Sequence, residues 1–292
     1  MRHTGTHTEP HGKLAHTPLA HAPLLLACLL AALGGVAQTQ DKAQGLGQER
    51  TKTGWHLRLA TGMGRDIYRD YGTSPLAYKG LTADMEARAI ATRPSGMRME
   101  VYARGLAGLH RSPFSASLLA LDAAGGASLL GLKALWHVGK PMAGGIAPFI
   151  GGSLNNLLLI RYNRHHENAS VGLGEFVLPA LHGGLERRWG RCTLYGGLAV
   201  APLALFLRPG YAYIDNYAEE NDLLSTLGNE YQWAAKPLPA MATTLGARWT
   251  LPGGNRLGCA YEWGYLGTGR HGAWKYQNAI HHLSLYLDFS LR

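Results

Sequence analysis

Apolar residues return at every second position in ten separate stretches of the chain, and the connections between those stretches alternate between short and long. Period-two patterning places one set of side chains on each face of a strand, so it specifies β-structure with one greasy and one polar face. The clearest case is the hairpin 171–207, VGLGEFVLPALHGGLERRWGRCTLYGGLAVAPLALFL. Val177, Leu181 and Leu185 share a face with Cys192, Leu194, Leu198 and Val200, while His182, Gly184, Glu186, Thr193 and Tyr195 share the other. A two-residue turn at Trp189-Gly190 predicts Arg188 opposite Arg191, Glu186 opposite Thr193 and Gly184 opposite Tyr195. Each run exceeds the roughly five or six residues of a common globular strand. Each also reaches the roughly 9–11 residues that a tilted strand needs to cross a bilayer.

Apolar-out, polar-in alternation, repeated with turns on one side and longer loops on the other, describes a transmembrane barrel. The predicted strands are 54–62, 81–92, 97–108, 127–139, 143–155, the two arms of the hairpin, 240–250, 256–265 and 280–292. The short connections 94–96, 140–142, 189–190 and 251–255 fall at every second position. The loops fall at 64–80, 109–126, around 160–170, 208–239 and 266–279. The expectation is all-β: a single antiparallel up-and-down transmembrane β-barrel of ten strands, within a range of eight to twelve. Composition agrees, because only 16% of residues are charged and 39 are glycine, against about 25% charged in a typical soluble domain. Mean hydropathy is only −0.10, which suits strands that are apolar on alternate residues. The competing architecture is a secreted sandwich or lipocalin-like barrel, which would bury its apolar face.

The front of the chain reads differently. Residues 19–36, LAHAPLLLACLLAALGGV, form a short apolar core preceded by Arg2 and Lys13, with Gly35 and Ala37 placed for cleavage before Gln38. That is a secretory signal peptide over 1–37, followed by a polar periplasmic lead-in, 38–53, and the barrel, 54–292. Cys28 lies inside the apolar core, which disfavours lipidation. His3, His7, His11, His16 and His21 fall in the segment to be removed. Loss of Arg2, Lys13 and Glu9 with the leader lowers the formal surplus from +9 to +8. For an exported chain without a nucleic-acid motif, that surplus favours anionic headgroups over nucleic acid.

With this parity the barrel interior receives the acids Asp84, Glu86, Glu100, Glu186, Glu262 and Asp288. It also receives the bases Arg58, Arg88, Arg98, Arg104, Lys133 and Arg248. Thr92 opposite Arg98 brings Glu86 opposite Arg104 as an ion pair, with Glu100 diagonal from Arg88. Eight-stranded barrels are filled by side chains and open channels appear at about 16–18 strands, so a ten-stranded lumen is expected to be a salt-bridged plug.

Other chemistry is thinly represented. His282-Leu283-Ser284 has the His-x-Ser spacing of outer-membrane lipid hydrolases, but it faces the lumen rather than lipid. A rim protease would need paired acids and a His, types supplied by Asp215, Glu219, Glu220, Asp222 and His165-His166-Glu167 without a motif to join them. No metal site and no cofactor are expected, and Cys192 and Cys259 fall on strands that are not neighbours. Loop aromatics and bases are candidates for ligand contact: Tyr68 and Tyr71; Arg161, Tyr162 and Arg164; Tyr211, Tyr213 and Trp233. The same residues suit an aromatic girdle.

Three segments in order resemble one uncharacterised family. Thr73-Ser74-Pro75-Leu76-Ala77-Tyr78-Lys79-Gly80 is similar to its S-P-L-x-Y-K/x-G motif. Asn155-Asn156 with the stretch Tyr162-Asn163 to Asn168-Ala169 is similar to its mid-chain loop, and Leu224-Ser225-Thr226-Leu227-Gly228-Asn229 to its S-x-L-G-N segment. The family is a group of Bacteroidota outer-membrane β-barrels known as a domain of unknown function. The resemblance implies an outer-membrane barrel and no catalytic residues. A departure is the C-terminal Ser290-Leu291-Arg292, where many such barrels end on an aromatic residue.

The functional expectation is therefore an outer-membrane barrel that is not an enzyme. Its role is structural or ligand-, glycan- or lipid-contacting, with termini in the periplasm. Its partners are outer-membrane lipid, lipopolysaccharide and, during insertion, the barrel-assembly machinery; its oligomeric state is not legible. A narrow small-solute channel is the second reading, and an envelope lipid hydrolase or protease the third.

Overall fold

In a computed structural model the described residues form twelve strands: β1 (Gly54–Asp70), β2 (Ser74–Thr92), β3 (Met97–Arg111), β4 (Ala123–His137), β5 (Ile146–Asn163), β6 (Val171–Trp189), β7 (Cys192–Ala201), β8 (Ala204–Leu207), β9 (Gln232–Ala234), β10 (Ala240–Thr250), β11 (Arg256–Gly267) and β12 (Tyr276–Leu291). The structure describes residues 54–71, 74–115, 121–139, 142, 145–164, 171–207, 232–234, 238–269 and 275–291. The signal peptide and lead-in assigned to 1–53 and the His165-His166-Glu167 cluster lie outside these, as do Tyr211, Tyr213 and Leu224–Asn229.

Neighbouring strands pair antiparallel in the order β5-β4-β3-β2-β1-β12-β11-β10-β7-β6, and β5 pairs with β6 to close the ring. β8 continues β7 along β6, and β9 continues β10's side of the wall along β8, so twelve strands make ten staves. The β6 ladder steps by one residue between Leu181↔Val200 and Val177↔Leu205. That bulge falls at Pro202, which has no N–H to give a ladder.

The wall is apolar outside. On β1 the outward residues Trp55, Leu57, Leu59 and Met63 are exposed, then Arg65 follows on the same face. On β12 Leu283, Leu285 and Leu291 are exposed below an exposed His281. Nine residues from Trp55 to Met63, tilted, span about 20–25 Å, the height of a bilayer's apolar band. Trp55, Trp136, Trp189 and Trp249 all face outward beside the short-turn end. They form an aromatic row at one rim, where a ring with one polar edge is at home. Together, a closed antiparallel ten-stave barrel with an apolar belt is the outer-membrane barrel fold.

Two sequence-based expectations need correction. The hairpin turn is Gly190-Arg191, one residue later than Trp189-Gly190, so Trp189 pairs with Cys192, Glu186 with Tyr195 and Gly184 with Gly197. Gly190 has φ +57°, and a tight hairpin wants that left-handed geometry at a residue without a side chain. The register moves by an even number, so the faces are unchanged. The long-loop ends of the strands also extend further than the alternation of apolar residues indicated. β1 runs to Asp70, β2 begins at Ser74, and β5 runs from Ile146 to Asn163 rather than over 143–155. Above the apolar band the outward residues become polar, as at Arg65, Arg69 and Lys79, and the apolar signal ends. The hydrogen-bonded ladder has no such limit and continues.

Candidate functional site in the barrel lumen

All twelve charged residues singled out by parity point into the barrel, in the half nearer the short turns. Arg58 donates to both oxygens of Asp288, at 2.6 and 3.0 Å, across the β1–β12 seam. Arg88 donates to Glu86 at 2.8 Å and to Glu100 at 2.5 Å, and Glu100 also takes a 2.5 Å bond from Arg98. Lys133 stands opposite Glu100 in register. Among the ion pairs of the described residues two span more than one intervening stave: Arg98 reaches Glu186 at 3.3 Å, and Arg104 reaches Glu262 at 3.1 Å. β4 and β5 separate the first pair of staves, and β2, β1 and β12 the second. Arg248 adds a 3.0 Å bond to Glu186, and His137 lies 3.7 Å from the same carboxylate. In a space shielded from water each charge needs such a partner, and the cluster supplies several.

Glu86 and Arg104 are register partners, as are Thr92 and Arg98, but the expected Glu86–Arg104 ion pair does not form. Glu86 holds Arg88, and Arg104 instead binds Asp84 and Glu262 and lies 3.0 Å from His282. A long guanidinium reaches diagonal and same-strand neighbours as easily as the residue opposite, so register alone does not choose the partner.

Three tyrosines brace the wall between these charges. Tyr102, Tyr195 and Tyr286 each lie over a glycine directly opposite on the next strand, Gly131, Gly246 and Gly258. A side chain at any of the three would occupy the ring's position, so the small residue is required there. Arg58 stacks on Tyr286 at 3.8 Å and Arg88 on Tyr102 at 4.5 Å.

The lumen is not packed solid. A polar cavity of about 260 Å³ lies among the ion pairs, bordered by Lys133, His182, Glu186 and Ser284. A second cavity of about 230 Å³ lies above it, walled by Leu106, Leu129, Leu157, Leu159, Leu178 and Ile280, with Arg104 and Glu262 at its floor. Both cavities touch Arg104, Asn155 and Glu262, so the Arg104–Glu262 strut stands at their boundary. This corrects the expectation of a filled interior. The salt-bridged plug closes one half, and a pocket of leucine and alanine occupies the other.

Over the second cavity the barrel is roofed by a layer that the sequence reading missed. Tyr68 stacks on Tyr78 at 5.1 Å, Phe176 on Phe206 at 6.0 Å and Phe176 against Tyr276 at 5.8 Å. Arg161 lies 3.5 Å above Tyr68 and donates to the Tyr276 hydroxyl. His110 and Asp66 meet at 2.5 Å, and Asn278 donates to Asp66 at 3.3 Å. Tyr68, on β1, donates to Asn163, on β5, at 3.3 Å across the barrel mouth. Tyr68 and Arg161 are thus buried strand residues of the lumen, not loop residues. The signal was present: Asp66, Tyr68 and Asp70 continue the inward parity of His56 and Arg58.

The remaining candidates scatter. Tyr162 is exposed on the outer face of β5, Arg164 is exposed in the turn after it, and Tyr71 in the β1–β2 turn takes a bond from Arg69 at 2.9 Å. Of Trp233 only its place in β9 is described. Asn155 and Asn156 lie within β5, not in a loop. His282 Nε2 lies 3.3 Å from Asp84 without a hydrogen bond between them, and its Nδ1 lies 3.0 Å from Arg104, while Ser284 donates to the Ala260 carbonyl at 3.3 Å, so His282 and Ser284 do not engage each other. Among the described residues no three His, Cys, Asp or Glu cluster as for a metal ion.

No family model matches the chain, and no curated protein does. Among solved structures it is similar to the outer membrane protease OmpT from Escherichia coli, at 7% identity and TM-score 0.45, over 87% of this chain and 100% of that one. It is also similar to the translocator domain of the autotransporter NalP from Neisseria meningitidis, at 10% identity and TM-score 0.39, over 92% and 96%. An outer membrane channel from Pseudomonas putida F1 matches at 8% identity and TM-score 0.35, over 86% and 100%.

Proposed function

We propose that this chain is an outer-membrane surface barrel whose lumen is closed to ions, with the short turns and both ends of the barrel sheet in the periplasm. The observation that carries the reading is the pair of struts Arg98–Glu186 and Arg104–Glu262, which join staves that are not neighbours. A hydrated ion would have to part them, and the apolar stretch above them offers it no ligands. The aromatic and Arg161 layer closes the other mouth. The alternation of short and long connections supports the orientation, and a leader over 1–37 with delivery by the barrel-assembly machinery fits it. Lipid and lipopolysaccharide are the natural neighbours of the exposed belt. The motif resemblance to uncharacterised Bacteroidota outer-membrane barrels belongs to the same reading.

A narrow channel finds support only in the 260 Å³ polar cavity, which is half a path. A hydrolase at His282 and Ser284 finds none, because the imidazole lies against Arg104 and the Ser284 hydroxyl donates to the Ala260 carbonyl. Planar-bilayer recording of the purified full chain tests the proposal. The wild type is expected to give no recurring unitary steps, while Arg98→Ala with Arg104→Ala removes both struts and is expected to give them. Stable unitary conductance in the wild type would overturn the closed lumen.

A further inference from the structure

We infer that the upper cavity is a binding site for one uncharged apolar molecule, about the size of a single aromatic ring or a short alkyl chain. Its lining is mostly leucine, isoleucine, alanine and glycine, with Met241 and Tyr265 among them; the polar side chains are Arg104, Asn155 and Glu262 at the floor and Asp66, His110, Arg161 and Asn278 at the roof. Those polar groups largely serve one another: Arg104 with Glu262 and Asp84 below, Asp66 with His110 and Asn278 above. A charged guest would have to compete with these contacts and leave its own hydration behind. Water fares poorly for a related reason, since it needs two to four polar partners and the wall offers none. Enclosed apolar cavities of about 150 Å³ stay dry and take up benzene; this one is partly open and holds about 230 Å³ behind a largely apolar wall.

The room exists because the sequence puts small residues where the inner face could hold large ones. Ala127, Ala180, Ala201, Ala240 and Ala242 all border the space. The cavity also touches the irregular part of the wall. Leu178 and Ala180 lie on β6 opposite the bulge at Pro202, and Ala201 and Ala240 close the adjoining strand ends. Met241, on the outward parity of β10, borders the cavity at the same place. The space is therefore bounded by the interior on one side and by the irregular seam of the wall on the other. An apolar guest has two sources, a chain from the surrounding lipid or a small hydrocarbon from outside. The site does not depend on whether the barrel conducts.

The experiment uses the full chain in detergent and fluorine NMR. Hexafluorobenzene is expected to show a saturable component of one per barrel above its linear partition into micelles, and pentafluorobenzoate only the linear part. Ala180→Phe and Ala240→Phe, each checked for folding by heat-modifiable gel mobility, place a ring in the cavity and are expected to weaken the saturable component by about tenfold or more. No saturable component in the wild type, equal saturation by the carboxylate, or a folded filled variant that binds like the wild type would each overturn the site. If one variant does not fold, the other decides, and the comparison of the two probes needs neither. Solvent extraction and mass spectrometry of wild-type protein from membranes separate the sources. A lipid-derived chain present there and missing from a filled variant assigns lipid; probe binding without such a chain assigns a small hydrocarbon.

Discussion

Arg58 and Asp288 face each other where the first stave meets the last, and their two-point contact is the ion pair best suited to a quantitative test. The side chains are 10% and 1% exposed, and the bonds are 2.6 and 3.0 Å. Asp288→Asn leaves the Arg58 cation with the Tyr286 ring and little else. Two routes give the size of the loss. Opposite unit charges about 4 Å apart at an effective dielectric of about 20 attract by about 4 kcal/mol. Breaking one partner of a buried pair costs about 3–5 kcal/mol in practice. The single variant should therefore lose about two to three and a half decades of folding equilibrium, read as the urea midpoint of tryptophan fluorescence in detergent or vesicles. Arg58→Met alone should cost a similar amount. The double variant should cost well under the sum, because no orphaned charge remains. Additive losses would mean that the two groups act separately, and the account of the seam would fail.

Two further substitutions probe the wall. At Gly246 a methyl group would meet the Tyr195 ring and the Cys259 carbonyl, so Gly246→Ala should lower stability by about 1–3 kcal/mol; an unmoved urea midpoint would remove Tyr195 from its place over the glycine. Leu285 is an exposed, outward residue in the middle of the apolar belt, so Leu285→Arg should cost about 2–4 kcal/mol in a bilayer. A cost near zero would place Leu285 in water.

What the sequence could and could not show follows from range. Parity is local, so the inward set from Arg58 to Asp288, the outward leucines and the strand count were legible from alternation and turn residues alone. Partner choice is not local. Arg104 takes Asp84, diagonal to it on the adjacent strand, and Glu262, which barrel closure brings across from β11; no spacing along the chain encodes that second contact. The roof was missed for a different reason. Tyr68, Tyr78 and Arg161 sit on strand ends that have left the apolar band, so the hydrophobic signal stopped before the strands did. The apolar cavity was hidden because Leu157 and Leu159 point inward on β5, against the polar-in rule on which the lumen was read. The turn moved by one residue because Gly190, not Trp189, tolerates a positive φ.

The central claim is that alternate residues face lipid and lumen, and spin-label accessibility along β1 tests it most directly. With Cys28, Cys192 and Cys259 replaced, single labels at each position from Trp55 to Met63 in vesicles report collision with oxygen, which concentrates in lipid, and with a polar nickel chelate. The expected result is a period of two, with oxygen maxima at 55, 57, 59, 61 and 63 and minima at 56, 58, 60 and 62. An inverted phase, or no alternation with chelate access throughout, would contradict a lipid-facing belt around a closed barrel.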